Sequence, residues 1–355
     1  MTTLLQKICK SVHIHDTHSF SIFDQRFELA NRKVYKSWSK GIEHFGENMP
    51  TEDEAGPGLV NLLTGQLYTL FYCQGKVHPS CHEIARRIHG MDKVADSSYL
   101  QSLSHSNQSK DHLDRMWRVI NIDGSGKFVL TKNEEIRSEL IANCVPAHPL
   151  NAPVKINDLV HIRCVREVFS SNSTFYFAYG EVLMRAKPQL IRFYFNTNNA
   201  PELVKLITLK FNHYQIPFSF KCPLQPRLFD RVDNAVLYID QIHLMPVLQV
   251  LQLLLPDLSA LLDEDIPLFT KSLAPGIAMA EDPGNGQSFG ISRCELIARA
   301  LFNACNQNIQ AYEDRVESVK EFIAEAGYEF SRFYARPNSH YPHDFSPLNP
   351  QVSVE

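Results

Sequence analysis

The chain has 355 residues, of which 44% are hydrophobic and 21% are charged, a composition typical of globular proteins. Its formal net charge of −4 argues against a protein that binds nucleic acid over most of its surface. The eight cysteines form no Cys-x-x-Cys pair, and the first residues lack the apolar core of a signal peptide, so we expect reduced thiols and a cytoplasmic location.

The amino-terminal part, residues 1–145, is predicted to be a mostly helical domain. Residues 58–75 carry apolar side chains at helical spacing and end at Gly75, as a helix would. Residues 116–133 contain two short apolar runs around the turn sequence DGSG, which predicts a β-hairpin.

A proline-rich segment divides the chain. Residues 143–158 contain three prolines, so we predict a boundary there and a second domain over 155–355 that carries the anion site described below. Within that domain, the most apolar stretch is 242–262. It is interrupted by Pro246 and Pro256, which favours a pair of buried helices over a bilayer span of about 20 apolar residues.

The second domain is predicted to begin with short strands and one helix. The strands are expected at 173–182, 190–196, 216–222 and 234–239, and the helix at 200–214. Strand 190–196, the helix and strand 216–222 have the order of a βαβ unit. The predicted fold class is α+β: a helical N-terminal region, then a mixed β-sheet domain with a βαβ unit and flanking helices.

Alternation within these strands places two cations on one face of the sheet. Phe193 points to one face and Arg192 and Tyr194 point to the other, and Lys221 takes the polar face of its own strand. We expect the apolar face to receive the helix, and the polar face to display Arg192 and Lys221 on neighbouring strands with no acid between them. A shared anion is one interpretation of this pattern, and ordinary solvated charges are the alternative.

A glycine-rich loop precedes an amphipathic helix pattern within residues 280–301, and Arg293 lies in the first turn of that pattern. Because a helix N-terminus carries partial positive charge, an arginine there indicates a nearby anion. That anion is either a bound phosphate or an internal carboxylate from Glu281, Asp282 or Glu295. The loop is neither a Walker A motif nor a dinucleotide fingerprint.

Two other polar groups have simpler interpretations. Arg227, Arg231 and Asp233 precede a buried strand and are predicted to pair locally in a turn. The sequence VHIHDTH at 12–18 has residue types that bind metals, but no second cluster completes a site, so no metal is predicted.

Several blocks of the chain resemble, in order, the HopA-type family, named for a bacterial type III secretion effector. The blocks are residues 67–79, 99–123, 175–181, 191–208, 217–239 and 269–301, followed by SPLNP at 346–350. Blocks 217–239 and 269–301 are specific because of their unusual order of Lys, Arg, Asp, Glu and Ser-Phe-Gly. The resemblance to the effector branch is weakest at Arg231 and Phe289.

The family also includes HopA-like lyase components from class V lanthipeptide and thioamitide biosynthesis. There, a separate kinase phosphorylates Ser or Thr of a precursor peptide, and the HopA-like protein eliminates phosphate to leave dehydroalanine or dehydrobutyrine. The resemblance therefore implies a phospho-Ser/Thr lyase whose partners are a phosphorylated precursor peptide and a kinase, with no cofactor, nucleic acid or membrane. The alternatives are an effector-like protein that binds a phosphorylated or acidic partner without chemistry, and a structural module whose cations are ordinary surface.

The resemblance also implies roles for individual residues. Lys221 would be the base, because burial and neighbouring cations can lower the pKa of a lysine, and Arg192 and Arg293 would clamp the phosphate. The other residues expected at the phosphate or substrate are Lys271, Ser288, Gly290, Arg231 and Tyr194, with Asp233 and Glu281 orienting the cations.

Overall fold

The computed structural model describes residues 2–29, 52–83, 96–148, 153–169, 174–341, 343 and 345–349. Within them the chain is α+β, as predicted. The α-helices are α1 Thr2–Ser11, α2 Glu52–Leu70, α3 Ser97–Ser106, α4 Ala200–His213, α5 Leu244–Ser259, α6 Phe289–Asn306 and α7 Tyr312–Glu325. The strands are β1 Val12–Ile14, β2 Ser19–Ile22, β3 Gln25–Glu28, β4 His112–Ile122, β5 Lys127–Lys132, β6 Glu135–Leu140, β7 Cys144–Pro146, β8 Leu159–Cys164, β9 Glu167–Val168, β10 Phe175–Tyr179, β11 Leu190–Phe195, β12 Ser219–Pro223, β13 Ala235–Asp240, β14 Lys271–Ala274 and β15 Ile277–Glu281.

The strands of the described residues form three sheets in which every pairing is antiparallel. Strands β1 to β3 form the smallest sheet, and a five-stranded sheet has the order β6-β5-β4-β8-β7. The seven-stranded sheet has the order β14-β15-β11-β13-β12-β10-β9. It carries the candidate site.

The predicted βαβ unit is present in a split form. Strands β11 and β12 run parallel to each other because β13 lies between them and is antiparallel to both. Helix α4 connects them, and it begins where the Asn199 side chain accepts the N–H of Glu202 at 3.3 Å. The expectation that Arg192 and Lys221 lie on neighbouring strands is therefore wrong: one strand separates them.

The central strands of the seven-stranded sheet are covered on both faces. Ile191, Phe193 and Phe195 of β11 pack with α4 and α5 in one hydrophobic core, as the alternation predicted. Tyr194 points the other way, into a second core that contains residues of α2 and α6. The polar face of the predicted sheet is therefore covered in part by helices, and polar side chains there lie in a partly closed space.

Helix α5 is continuous, so the predicted helix pair within 242–262 is wrong. Pro246 lies in the first turn, where a backbone N–H has no partner within the helix, so the proline does not break it. By length and apolar composition alone, Gln241–Ser259 could cross a membrane, a test that core helices also pass. In this fold Val247, Leu251 and Leu258 pack in the core beside the seven-stranded sheet.

The β-hairpin predicted within 116–133 is confirmed, since β4 pairs with β5. Beyond it, β7 and β8 flank much of the proline-rich segment 143–158 and pair with each other, and β8 also pairs with β4. The five-stranded sheet thus includes strands from both sides of the predicted boundary, and the division into two domains stays a prediction.

Candidate functional site

A cavity of about 100 Å³ lies on the α2–α6 face of the seven-stranded sheet. One water needs roughly 10–15 Å³ of such space, so the cavity has room for a small solute group. The residues that line it include Tyr68, Tyr72, Phe175, Arg192, Tyr194, Lys221, Arg231, Asp233, Tyr238, Ser288, Phe289 and Gly290. Seven of the residues predicted for the site line this cavity: Arg192, Tyr194, Lys221, Arg231, Asp233, Ser288 and Gly290. Arg293, Lys271 and Glu281 do not line it.

The register of the sheet explains how Arg192 and Lys221 reach one cavity. On β13, Tyr238 lies opposite Arg192 and Val236 lies opposite Lys221. Strands are about 4.8 Å apart and residues rise about 3.4 Å, so two strand steps and two residues separate the Cα atoms by about 12 Å. Both side chains are long enough to span part of this gap, and both line one cavity, whereas Arg293, the third cation of the predicted cluster, does not.

Lys221 is the least neutralised cation of the cavity. Its Nζ lies 3.7 Å from the centroid of the Phe175 ring, and no ion pair involves it within the described part of the chain. Burial lowers the pKa of Lys221 to about 8; Asp233 opposes this effect, and Arg231 and Arg192 add to it. Near this pH the amine exists in both its neutral and its charged form.

Arg192 is paired with Asp282, a carboxylate that the sequence analysis considered as a partner for Arg293. Its Nε donates to Asp282 Oδ2 at 2.6 Å, its Nη2 forms an ion pair with the same oxygen, and Nη2 also donates to the Gln287 carbonyl at 3.0 Å. Its guanidinium lies 5.3 Å from the centroid of the Tyr238 ring. The expectation of two cations without an acid nearby is thus wrong for Arg192.

Arg231 forms a bidentate pair with Asp233, as the local-pairing interpretation predicted. Its Nε and Nη2 donate to the two carboxylate oxygens at 2.9 and 2.8 Å, and Nη2 also donates to the Tyr68 hydroxyl at 2.6 Å. Asp233 therefore orients Arg231, and both line the cavity. The side chain of Arg227 lies outside the described residues.

The N-terminus of α6 closes one side of the cavity. The Ser288 hydroxyl accepts the N–H of Ile291 at 3.2 Å and caps the helix. Gly290 lets the helix approach the turn after α2 closely, because a Cβ there would lie only 2.4 Å from the ring of Tyr72. Both residues line the cavity, but the hydroxyl of Ser288 already caps its own helix.

Arg293 has a structural role, which corrects its assignment as a phosphate clamp. It is fully buried, and its Nε and Nη2 donate to the carbonyls of Phe333 and Ala335 at 2.7 and 2.6 Å. Its guanidinium also lies 4.6 Å from the centroids of the Phe289 and Tyr328 rings. Within the described residues, this helix-terminal cation is held by backbone carbonyls of the C-terminal segment and not by a carboxylate.

Glu281 and Lys271 also hold the C-terminal segment and do not line the cavity. Glu281 accepts hydrogen bonds from His343 Nε2 at 2.7 Å, from the Arg336 N–H at 2.7 Å and from the Ser339 hydroxyl at 2.8 Å. Lys271 Nζ donates to the His343 carbonyl at 3.0 Å. The predicted roles of Glu281 in orienting the site cations and of Lys271 in binding substrate are therefore corrected.

Sequence reasoning missed the aromatic half of the cavity. Tyr68 and Tyr72 come from the end of α2 and the turn after it, in the region predicted as a separate domain, and Tyr238 comes from β13. Tyr68 and Tyr72 are four residues apart, a spacing that on a helix brings side chains to one face, and their ring centroids lie 5.3 Å apart in a stacked arrangement. That spacing was visible in the sequence, but the surface it faces was not.

One family model and two solved structures are similar to this chain. A sequence model of the HopA1 effector protein family matches residues 169–335. The effector protein from Pseudomonas syringae pv. tomato strain DC3000 has a TM-score of 0.42 and 14% identity, covering 87% of this chain and 98% of its own.

The effector protein from Pseudomonas syringae pv. syringae strain 61 has a TM-score of 0.38 and 17% identity, covering 88% of this chain and all of its own. No curated protein matches the chain. Lys221, Arg192 and Arg231 all lie within the matched segment. Residues 169–335 of the chain are therefore similar to the HopA1 effector protein family.

Proposed function

We propose that the cavity binds the phosphoryl group of a phosphorylated Ser or Thr in a peptide and eliminates it as phosphate. The observation that carries this proposal is Lys221: a buried amine with a lowered pKa and no carboxylate partner in the described chain, in a cavity that it shares with two arginines. Arg192 and Arg231 each pair with one carboxylate, so the net charge of the cavity depends on Lys221. The cavity is positive when this amine is protonated; when it is neutral, the remaining N–H groups of the arginines bind the phosphate.

Neutral Lys221 acts as the base. Its Nζ removes the α-proton of the phosphorylated residue, the electron pair of that C–H bond forms the Cα–Cβ double bond, and the Cβ–O bond to phosphate breaks. Phosphate leaves with the electrons of that bond, and the product is dehydroalanine from Ser or dehydrobutyrine from Thr. A lysine can serve in this role because its pKa lies near the working pH.

The arginines and a tyrosine supply donors for the phosphate. Within the described residues, no hydrogen bond uses Nη1 of Arg192 or of Arg231, so each retains N–H groups for a ligand. The hydroxyl of Tyr238 likewise has no partner in this part of the chain, and burial raises its pKa, which keeps it protonated as a donor. Donors held in place before the reaction stabilise the charge that develops on the departing phosphate.

A second candidate function uses the same cavity without chemistry. Asp282 and Asp233 already hold Arg192 and Arg231 in place, and preorganised arginines with unused N–H groups suit recognition of a phosphorylated or acidic partner as well as catalysis. In this case the phosphorylated residue binds and stays intact.

One experiment separates the two functions. The protein is incubated with synthetic phosphoserine and phosphothreonine peptides, and released phosphate and the mass of each peptide are measured. Elimination gives one phosphate and an alkene for each peptide consumed. The variant Lys221→Met should lose this activity while Lys271→Met keeps it, since Lys271 also lies beside aromatic rings on this sheet but outside the cavity.

The outcomes are distinct. If the wild-type protein binds phosphopeptides and releases no phosphate, the binding function replaces the lyase. If Lys271→Met loses as much activity as Lys221→Met, then the assignment of the base to this cavity is wrong.

A further inference from the structure

The face of the seven-stranded sheet that carries Lys221 continues beyond the cavity. Lys221 lies opposite Val236 on one side and opposite Phe177 on the other, and Phe177 lies opposite Val168 on β9. Side chains of residues paired in this way stand on the same face of a sheet. The four residues therefore form one row that leads from the cavity to the edge of the sheet.

The edge end of this row is not covered by the cores of the described structure. Val236 belongs to the core that includes α2 and α6, whereas Val168, Phe177 and Tyr179 belong to none of the hydrophobic clusters. Val168 is 47% exposed, and Phe177 and Tyr179 are half-buried. We call these three residues the aromatic shelf.

The aromatic shelf extends from the edge of the sheet to Lys221. The rings of Phe177 and Tyr179 are stacked with their centroids 6.5 Å apart and their planes 10° apart. The centroid of the Phe177 ring lies 5.9 Å from Lys221 Nζ. A chain that places its reacting residue beside that amine therefore meets the aromatic shelf within one side-chain length.

The dimensions suit a short extended segment. The row from Val236 to Val168 crosses three strand intervals of about 4.8 Å each, or about 14 Å in all. An extended peptide advances about 3.4 Å per residue, so about four residues cover it. The cavity, at about 100 Å³, has room for a phosphoryl group, and a chain whose phosphoryl group enters it beside Lys221 can continue along this row.

We propose that the aromatic shelf binds apolar side chains next to the phosphorylated residue, so that the substrate class is a phosphopeptide with apolar flanking residues. This inference rests on the proposed binding of a phosphorylated peptide in the cavity. The shelf side chains carry no charge, and the surface is continuous with the cavity at Lys221. Apolar flanking residues gain from leaving water on such a surface, and polar ones do not.

The test uses peptides that cannot react. In two fluorescent peptides, a phosphonate with a methylene in place of the ester oxygen stands for phosphoserine; leucines flank it in one and serines in the other. Binding to the wild-type protein is measured by anisotropy, alongside Phe177→Ser and a matched control, Phe169→Ser. Phe169 is also exposed near this edge, but its ring stacks on Tyr176, which packs in the core on the other face.

The wild-type protein should bind the leucine-flanked peptide about tenfold more tightly, as expected for partial burial of apolar side chains. Phe177→Ser should abolish this preference, and Phe169→Ser should keep it. Equal binding of both peptides to the wild-type protein overturns the inference, and so does a preference that survives in Phe177→Ser. If the wild-type protein is a dimer that Phe177→Ser dissociates and Phe169→Ser does not, the aromatic shelf contacts a second copy of the chain. That result also overturns the inference.

Phosphate release tests the proposed function separately from peptide affinity. A preference for leucine that depends on Phe177, combined with no phosphate release from the matching phosphoserine peptide, rejects the lyase and keeps the shelf. Phosphate release at equal rates from leucine-flanked and serine-flanked phosphopeptides, with equal affinity, keeps the lyase and rejects the shelf.

Discussion

The amine of Lys221 lies 3.7 Å from the centroid of the Phe175 ring, at the boundary between the covered core of the sheet and its open edge. The aromatic ring gives the cation a weak partner, but it does not replace the water that burial removes. Burial therefore lowers the pKa of Lys221 to about 8, so the charge of this amine changes in a pH range where rates can be measured.

If Lys221 is the base, phosphate release should depend on pH with a single ascending limb. Only the neutral amine accepts the α-proton, so kcat/KM should rise as pH increases and level off above a midpoint near pH 8. The variant Lys221→Met should lose at least about 100-fold in rate, the lower end of general base contributions. A rate that is constant from neutral pH upward would exclude this role.

Asp233 should set the position of that midpoint. Its carboxylate raises the pKa of Lys221, so Asp233→Asn should move the ascending limb to lower pH. Asp282→Asn is the matched control: Asp282 pairs with Arg192, and its charge is not among those that shift Lys221. Rates are measured across pH for both variants, with folding checked by circular dichroism. An unchanged midpoint in Asp233→Asn would mean that the limb belongs to another group.

The local elements of the seven-stranded sheet were predictable because their patterns are local. Alternation in β11 placed Phe193 and Arg192 on the correct faces, and the helix between β11 and β12 was recognised from its apolar stripe. The insertion of β13 between them was not predictable, because strand order depends on contacts between distant parts of the chain. Arg192 and Lys221 still line one cavity, because both side chains lie on the predicted face of the sheet even though β13 separates their strands.

The errors at the site have one physical origin. A buried cation needs a partner, but the sequence does not say whether that partner is a ligand, a carboxylate or a backbone carbonyl. Arg293 satisfies this need with the carbonyls of Phe333 and Ala335, forty or more residues away. Tyr68 was missed for a related reason: its helix was predicted, but the packing of that helix on the sheet was not.

Arg293→Lys should reduce stability and leave phosphopeptide affinity unchanged at temperatures where the variant is folded. Lysine keeps the charge, but its single ammonium cannot match a planar fork that spans two carbonyls and contacts two rings. We expect a loss of about 3 kcal/mol in the free energy of unfolding, measured by urea denaturation. Full stability with lost phosphopeptide binding would restore Arg293 to the site.

Glu281 should make the stability of the fold sensitive to acid. Burial acts to raise the pKa of Glu281, but hydrogen bonds from His343, Arg336 and Ser339 outweigh it and lower the pKa from 4.5 to about 2. The unfolded chain therefore binds this proton first as pH falls, and the stabilisation, present above about pH 4.5, is lost between there and about pH 2. A difference of about 2.5 pKa units corresponds to about 3 kcal/mol.

Glu281→Gln tests this expectation at neutral pH. The variant should lose about 3 kcal/mol in the free energy of unfolding, and its stability should vary less with pH in the acid range. Glu295→Gln is the control, because Glu295 pairs with an exposed Arg299 and such pairs contribute less than about 1 kcal/mol. Equal losses in the two variants would show that the C-terminal segment does not depend on Glu281.

Two helical glycines should respond to alanine with opposite signs. At Gly58 in α2, an added Cβ would lie 3.5 Å from Leu29, an ordinary contact, so Gly58→Ala should stabilise the fold by up to about 1 kcal/mol through helix propensity. At Gly290 in α6, it would lie 2.4 Å from the fully buried ring of Tyr72, which has no free space to move into. Gly290→Ala should therefore cost about 1–3 kcal/mol in spite of any gain in propensity, because α6 must move away from the turn after α2.

That movement alters the wall of the cavity, so phosphopeptide affinity should fall in Gly290→Ala and stay unchanged in Gly58→Ala. If Gly290→Ala raised the melting temperature, the close approach of α6 to this turn could not be what shapes the cavity.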